Sequence, residues 1–115
     1  MIIRENTRDS VSIITLAGTL DALSAPELQS FSENSALSPN VVLDLSAVDF
    51  LDSSGLRAIR GMALKKRDSG GDVILACMND DVRKVFNDTQ VARLFHIYDD
   101  LEAAVTYAET NKKSI

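Results

Sequence analysis

Three short runs of β-branched and large apolar residues recur along this chain, at 11–17, 41–45 and 73–77, and a longer stretch of helical periodicity separates each from the next. The run at 41–45 is nearly continuous in apolar character, which suits a central strand covered on both faces. Strands alternating with helical crossovers pack as helices layered on a sheet whose crossover-linked strands run parallel. The expected fold class is therefore α/β, with a mixed β-sheet of about four to five strands and four to five α-helices.

Within the first run, alternation sets Val11, Ile13, Thr15 and Ala17 on one face and Ile14 and Leu16 on the other. An earlier strand around residues 2–5 can pair with it across a polar turn at 6–10, and Gly18 is expected to end the run. Ser24, Pro26 and Glu27 read as a capping box, opening a helix that turns Leu28, Phe31 and Leu37 inward until Ser38-Pro39-Asn40 breaks it. A second helix runs from about Ser54 to a stop at Ser69-Gly70-Gly71. The third run, 73–77, is expected as a buried strand. After it, Asn79-Asp80-Asp81 caps a short helix carrying Val82, Val85 and Phe86, and 96–98 forms an edge strand. Asp99 or Asp100 caps a last helix with Leu101, Ala104, Val105 and Ala108 facing inward. Without an internal repeat or a linker, residues 1–110 read as one domain and 111–115 as a flexible C-terminal tail.

A chain of 115 residues with 45% hydrophobic and 25% charged residues buries roughly two-thirds of its unfolded surface and folds without staples. No apolar run approaches the ~20 residues of a membrane span, and the N-terminus lacks the basic and apolar regions of a signal peptide. Cys77 is the only cysteine, so no internal disulfide forms, in agreement with a reducing, cytoplasmic setting. A net charge of −5 argues against non-specific binding to nucleic acid or an anionic membrane.

The chemistry concentrates at Leu51-Asp52-Ser53-Ser54-Gly55-Leu56, between the central strand and a basic, amphipathic helix. Arg57, Arg60, Lys65, Lys66 and Arg67 supply five of the twelve Lys and Arg residues. A hydroxyl at this junction sits where helix amides favour an oxyanion, and the same residues make a good N-cap. At ~100° per residue, Leu56, Ile59, Met62 and Ala63 form the buried face, while Ser53, Arg57, Arg60 and Leu64 share another line. Two arginines and an apolar anchor suit a protein interface; the alternative is a solvated face. Asp21, Asp49 and Asp52 offer a metal or acid/base cluster only thinly, because no histidine with ligand spacing stands beside them. His96 is far from Ser53 in sequence, and Ser53 is not in a Gly-x-Ser-x-Gly elbow, which weighs against a serine hydrolase. Cys77 reads as a small hydrophobe, and Gly70-Gly71 as a helix stop, not a phosphate loop.

These residues resemble the STAS domain family, most closely its free-standing anti-sigma factor antagonists. The resemblance rests on Gly18-Thr19-Leu20-Asp21, Val42-Leu43-Asp44-Leu45, Asp49-Phe50-Leu51-Asp52-Ser53-Ser54-Gly55-Leu56, Gly70-Gly71 before Val73-Ile74-Leu75, and Val82-Arg83-Lys84-Val85-Phe86 before Leu94-Phe95. It covers nearly the whole chain and implies a STAS-like fold. It also implies that Ser53 is the phosphoacceptor, with Ser54 its neighbour, and that the chain is not an enzyme and needs no cofactor or metal. The implied partners are an anti-sigma factor serine kinase of the histidine-kinase-like ATPase fold and a metal-dependent serine/threonine phosphatase. The unphosphorylated form binds the kinase, and phosphorylation of Ser53 releases it. The partner surface expected on this basis comprises Asp21, Asp52, Ser53, Ser54, Arg57, Arg60 and Leu64. Leu51 departs from the methionine common in the family, a volume-conserving change. The alternative is a non-switching STAS subunit of a lipid-transport or stress-signalling complex.

Overall fold

The strand runs and helical stretches assemble, in the computed structural model, into a five-stranded mixed sheet. Residues 1–110 are described, and the expected tail at 111–115 lies outside them. The elements in chain order are β1 (Ile2–Arg8), β2 (Val11–Leu20), α1 (Ala25–Asn34), β3 (Asn40–Leu51), α2 (Ser53–Asp68), β4 (Asp72–Ala76) and α3 (Asp80–Asp88). A 3-10 turn (Val91–Leu94), β5 (Ile97–Tyr98) and α4 (Leu101–Thr110) follow. The strands lie in sequence order, with β1 antiparallel to β2 and every later pair parallel.

The period-2 pattern assigns the two faces of the sheet. Ile14 and Leu16 of β2, Val41, Leu43 and Leu45 of β3, and Val73 and Leu75 of β4 belong to one core with Leu28 of α1, Leu56, Ile59 and Met62 of α2, and Phe86 of α3. Val11, Ile13, Val42, Ile74 and Ala76 face the other way and pack on Ala104, Val105 and Ala108 of α4. Leu37 falls beyond the end of α1, but it still packs on the larger core.

Several boundaries differ from the expectation for physical reasons. Gly18 does not end β2: with φ +106 it continues the strand to Leu20 through a register shift against β3, a conformation glycine adopts without a Cβ penalty. β1 runs to Arg8, and the turn tightens to Asp9 and Ser10, with Asp9 in the left-handed region at φ +55. β3 reaches Leu51 because two extra residues bulge out opposite β2, breaking the alternation that marks a strand in sequence. β4 stops at Ala76, and Cys77 lies just past it at φ +64, half-buried.

The Ser24 capping box does not form. Ser24 takes a helical conformation and makes no side-chain cap bond; its hydroxyl instead donates to Thr19 O at 2.6 Å and accepts from Asp21 N at 2.9 Å. The stop at the end of α2 forms as expected. The amide of Gly71 reaches back to Lys66 O at 2.7 Å, and that of Gly70, at φ +93, to Arg67 O. Among the described residues, no helix is long and apolar enough to cross a membrane.

Candidate functional site

The parallel strands end side by side, Leu20 of β2 beside Leu51 of β3, and the amide of Asp52 donates to Leu20 O at 3.2 Å. Crevices outside the carboxyl ends of parallel strands are where α/β sheets place ligands and partners. The segments 21–24 and 49–54 therefore emerge together at one end of the sheet. Each has its own local lock. Asp21 accepts the amides of Leu23 and Ser24, and these contacts, Ser24 foremost, hold its carboxyl below the usual aspartate range. Asp49 accepts the Thr19 hydroxyl at 3.0 Å, tying β3 to β2.

Asp52 is the N-cap of α2. Its Oδ1 accepts from Ser54 N at 2.9 Å and Gly55 N at 3.1 Å, so the helix begins at Ser53, one residue earlier than expected. The two readings of the motif are thus divided between two residues: the aspartate caps, and the serine is left in the first turn. Ser53 is exposed and Ser54 half-buried, and neither hydroxyl is hydrogen-bonded among the described residues. Gly55 allows this close start, since a Cβ there would lie 2.5 Å from Leu20 O. Because the Asp52 carboxylate occupies the amides of Ser54 and Gly55, an anion on Ser53 would find them already taken.

The line Ser53, Arg57, Arg60, Leu64 is exposed along α2, with Leu64 at 50%. The two guanidiniums diverge. Arg57 lines a groove of about 390 Å3 against α1, together with Ser54, whereas Arg60 lines a second groove with Arg93 and Leu94. Neither Arg57 nor Arg60 makes a hydrogen bond or ion pair among the described residues. The cations further along the helix do. Lys65 pairs with Glu33 at 2.9 Å, Lys66 donates to Leu37 O and Ser38 O, and Arg67 holds Asp72 at 2.8 Å and Leu94 O while lying over the Phe95 ring. The basic cluster of the sequence is therefore two sets of residues with different employment.

Two residues of this end were missed by sequence reasoning. Leu23 is 86% exposed and Phe50 53% exposed, one in the 21–24 turn and the other at the end of β3. The available signal was the pair Phe50-Leu51 between two aspartates, where a strand can bury only one of two consecutive side chains; Leu51 is the buried one. The remaining candidates lie elsewhere or are occupied. His96 shares a 2.9 Å contact with the Tyr107 hydroxyl on the α4 side. Burial, aided by Asp44 and Asp100, pushes the Cys77 thiol up, away from the thiolate. No group of three or more His, Cys, Asp and Glu is placed to hold a metal among the described residues.

A family model described as the STAS domain matches residues 3–104. The anti-sigma-B factor antagonist of Listeria monocytogenes is 28% identical over 97 residues, which cover 83% of this chain and 84% of the relative. The crystal structure of an anti-sigma factor antagonist from Mycobacterium paratuberculosis superposes with a TM-score of 0.82 at 26% identity, covering 94% of this chain and 93% of that one. The anti-sigma factor antagonist SpoIIAA in its unphosphorylated form shares the fold at a TM-score of 0.79 and 20% identity, over 94% of this chain and 96% of SpoIIAA.

Proposed function

The chain belongs to the STAS domain family, and from that premise we propose that it is an anti-sigma factor antagonist that works by partner switching. In its unphosphorylated form it binds an anti-sigma factor that is also a serine kinase of the histidine-kinase-like ATPase fold. The Ser53 hydroxyl oxygen takes the γ-phosphoryl group of the kinase's ATP, ADP leaves, and the complex separates. A metal-dependent serine/threonine phosphatase hydrolyses the phosphate and resets the chain. The partners supply all of this chemistry, in the bacterial cytoplasm, and the chain itself has no catalytic role.

The observation that carries this reading is the exposed Ser53 hydroxyl in the first turn of α2, which makes no hydrogen bond among the described residues and lies one turn from Arg57, likewise without a partner among them. Its relatives support the role: the Listeria and Mycobacterium proteins, each matched over most of its length, are anti-sigma factor antagonists. The docking surface consists of Asp21, Asp52, Ser53, Ser54, Arg57, Arg60 and Leu64, to which Leu23 and Phe50 add apolar area. Arginines are enriched among the few residues that dominate binding energy at interfaces.

Phosphorylation brings about −1.5 to −2 charges to Ser53. The Asp52 carboxylate already fills the Ser54 and Gly55 amides, so the fold does not absorb this charge there. It is presented outward, with Arg57 one turn away as its only nearby cation on the helix. The docking face, balanced between two aspartates and two arginines, turns negative where the partner must desolvate it, while the cap and the core stay as they are. A hundredfold loss of affinity needs only about 2.7 kcal/mol.

Calorimetric titration of the kinase with Ser53→Ala and Ser53→Asp variants tests the reading. Ser53→Ala is expected to bind like the wild type and Ser53→Asp at least about tenfold more weakly. Equal binding by both variants would favour a non-switching STAS subunit.

A further inference from the structure

The groove between α1 and α2 has a volume of about 390 Å3, within the range of about 300–1,000 Å3 usual for small-molecule sites. Its apolar lining comes from Ala22, Ala25 and Pro26 on one wall and Ala58, Gly61 and Met62 on the other. It is open at Gly61, where an added Cβ would meet nothing within 4 Å. Its charge is selective. In a chain of net charge −5, this groove is lined by two cations and no carboxylate. One of them, Lys65, is already paired with Glu33; the other, Arg57, has no partner among the described residues.

We propose that this groove binds a single-chain amphiphile with an anionic head, a medium-chain carboxylate. The hydrocarbon chain lies on the alanine, glycine and methionine walls, and the carboxylate takes the Arg57 guanidinium in a charge-assisted, bidentate pair. Ser54 and Arg57 also belong to the docking surface, so an occupied groove competes with the partner. That consequence rests on the partner-switching reading; the site itself does not.

Decanoate, held below its micelle concentration, is titrated into the whole unphosphorylated chain while NMR follows its amide and methyl shifts, with decanol as the neutral control. Saturable shifts are expected at Ala22, Ala25, Ala58 and Gly61. Gly61→Leu and Ala25→Leu fill the groove from opposite walls and should each weaken binding about tenfold or more, with circular dichroism unchanged. Arg57→Gln should weaken decanoate about tenfold and leave decanol unaffected. Shifts that never saturate, binding that survives both filled variants, or an Arg57→Gln protein that binds decanoate like the wild type would each overturn the site. Decanoate bound in the groove of a chain that no kinase phosphorylates would remove the switch and keep the site; a working Ser53 switch without saturable shifts would do the reverse.

Discussion

The two halves of α2 both present cations, but only the C-terminal half uses them inside the molecule. Lys65 reaches Glu33 of α1, Lys66 satisfies the carbonyls of Leu37 and Ser38, and Arg67 joins Asp72 at the start of β4 to Leu94, the last residue of the 3-10 turn, and to Phe95 just after it. These groups also sit in or next to the last turn, where the helix dipole favours positive charge. Arg57 and Arg60, nearer the other end, gain nothing from the dipole and have no partner among the described residues. Similar side chains on one helix thus do different work. The C-terminal set fastens α2 to its neighbours, and the N-terminal set remains available to something outside the molecule. Charge clustering in a sequence does not separate these roles; what each cation can reach does.

The contrast is sharpest at the glycines that hold the C-terminal end in place. A Cβ at Gly71 would stand 1.8 Å from Pro39 O, a backbone atom that cannot step aside cheaply. Gly71→Ala is expected to cost roughly 3 kcal/mol in urea unfolding, the largest effect in this group. Arg67→Ala comes next, at about 1–2 kcal/mol, because it leaves the half-buried Asp72 carboxylate without its cation. Arg57→Gln combined with Arg60→Gln should change stability by less than about 0.5 kcal/mol and still weaken kinase binding about tenfold or more in the same calorimetric titration. If that double variant destabilised the fold as much as Arg67→Ala, the division of α2 into two halves would be broken.

The smallest effect concerns pH. The Asp21 carboxyl is held below its ordinary value, chiefly by the Ser24 amide, so what it adds to stability is complete above the usual aspartate range and is lost as pH falls through the lowered value. Acid unfolding of Asp21→Asn, followed by circular dichroism, should therefore show a shallower decline at the acid end than the wild type.

The sequence made much of this arrangement legible. Alternation at 11–17 assigns Ile14 and Leu16 to one core and Val11 and Ile13 to the other, as found, and the Gly70-Gly71 stop needs only local geometry. What stayed hidden depends on competition or distance. Ser24 has the residues of a cap, but Asp21 and Thr19 engage its hydroxyl first. The far part of β3 is masked by bulges that break the period-2 signal, and Phe50 is hidden with it. The separation of Lys65 and Arg67 from Arg57 and Arg60 depends on partners such as Glu33, 32 residues away from Lys65, and no local pattern carries that. At Asp52-Ser53, the sequence left the cap and the acceptor as rival readings. The structure gives the cap to Asp52 and leaves the Ser53 hydroxyl without a hydrogen bond among the described residues.

The partner switch proposed for the N-terminal half turns on Ser53 accepting a phosphate. Intact mass and peptide mapping of the whole chain, after incubation with ATP and the serine kinase of the same organism that binds it best, measure this directly. The account predicts one phosphate on Ser53, none in Ser53→Ala, and loss of the kinase complex as the phosphate appears. A phosphate at another residue, or a Ser53-phosphorylated chain that still holds the kinase as tightly as the unmodified one, would contradict it.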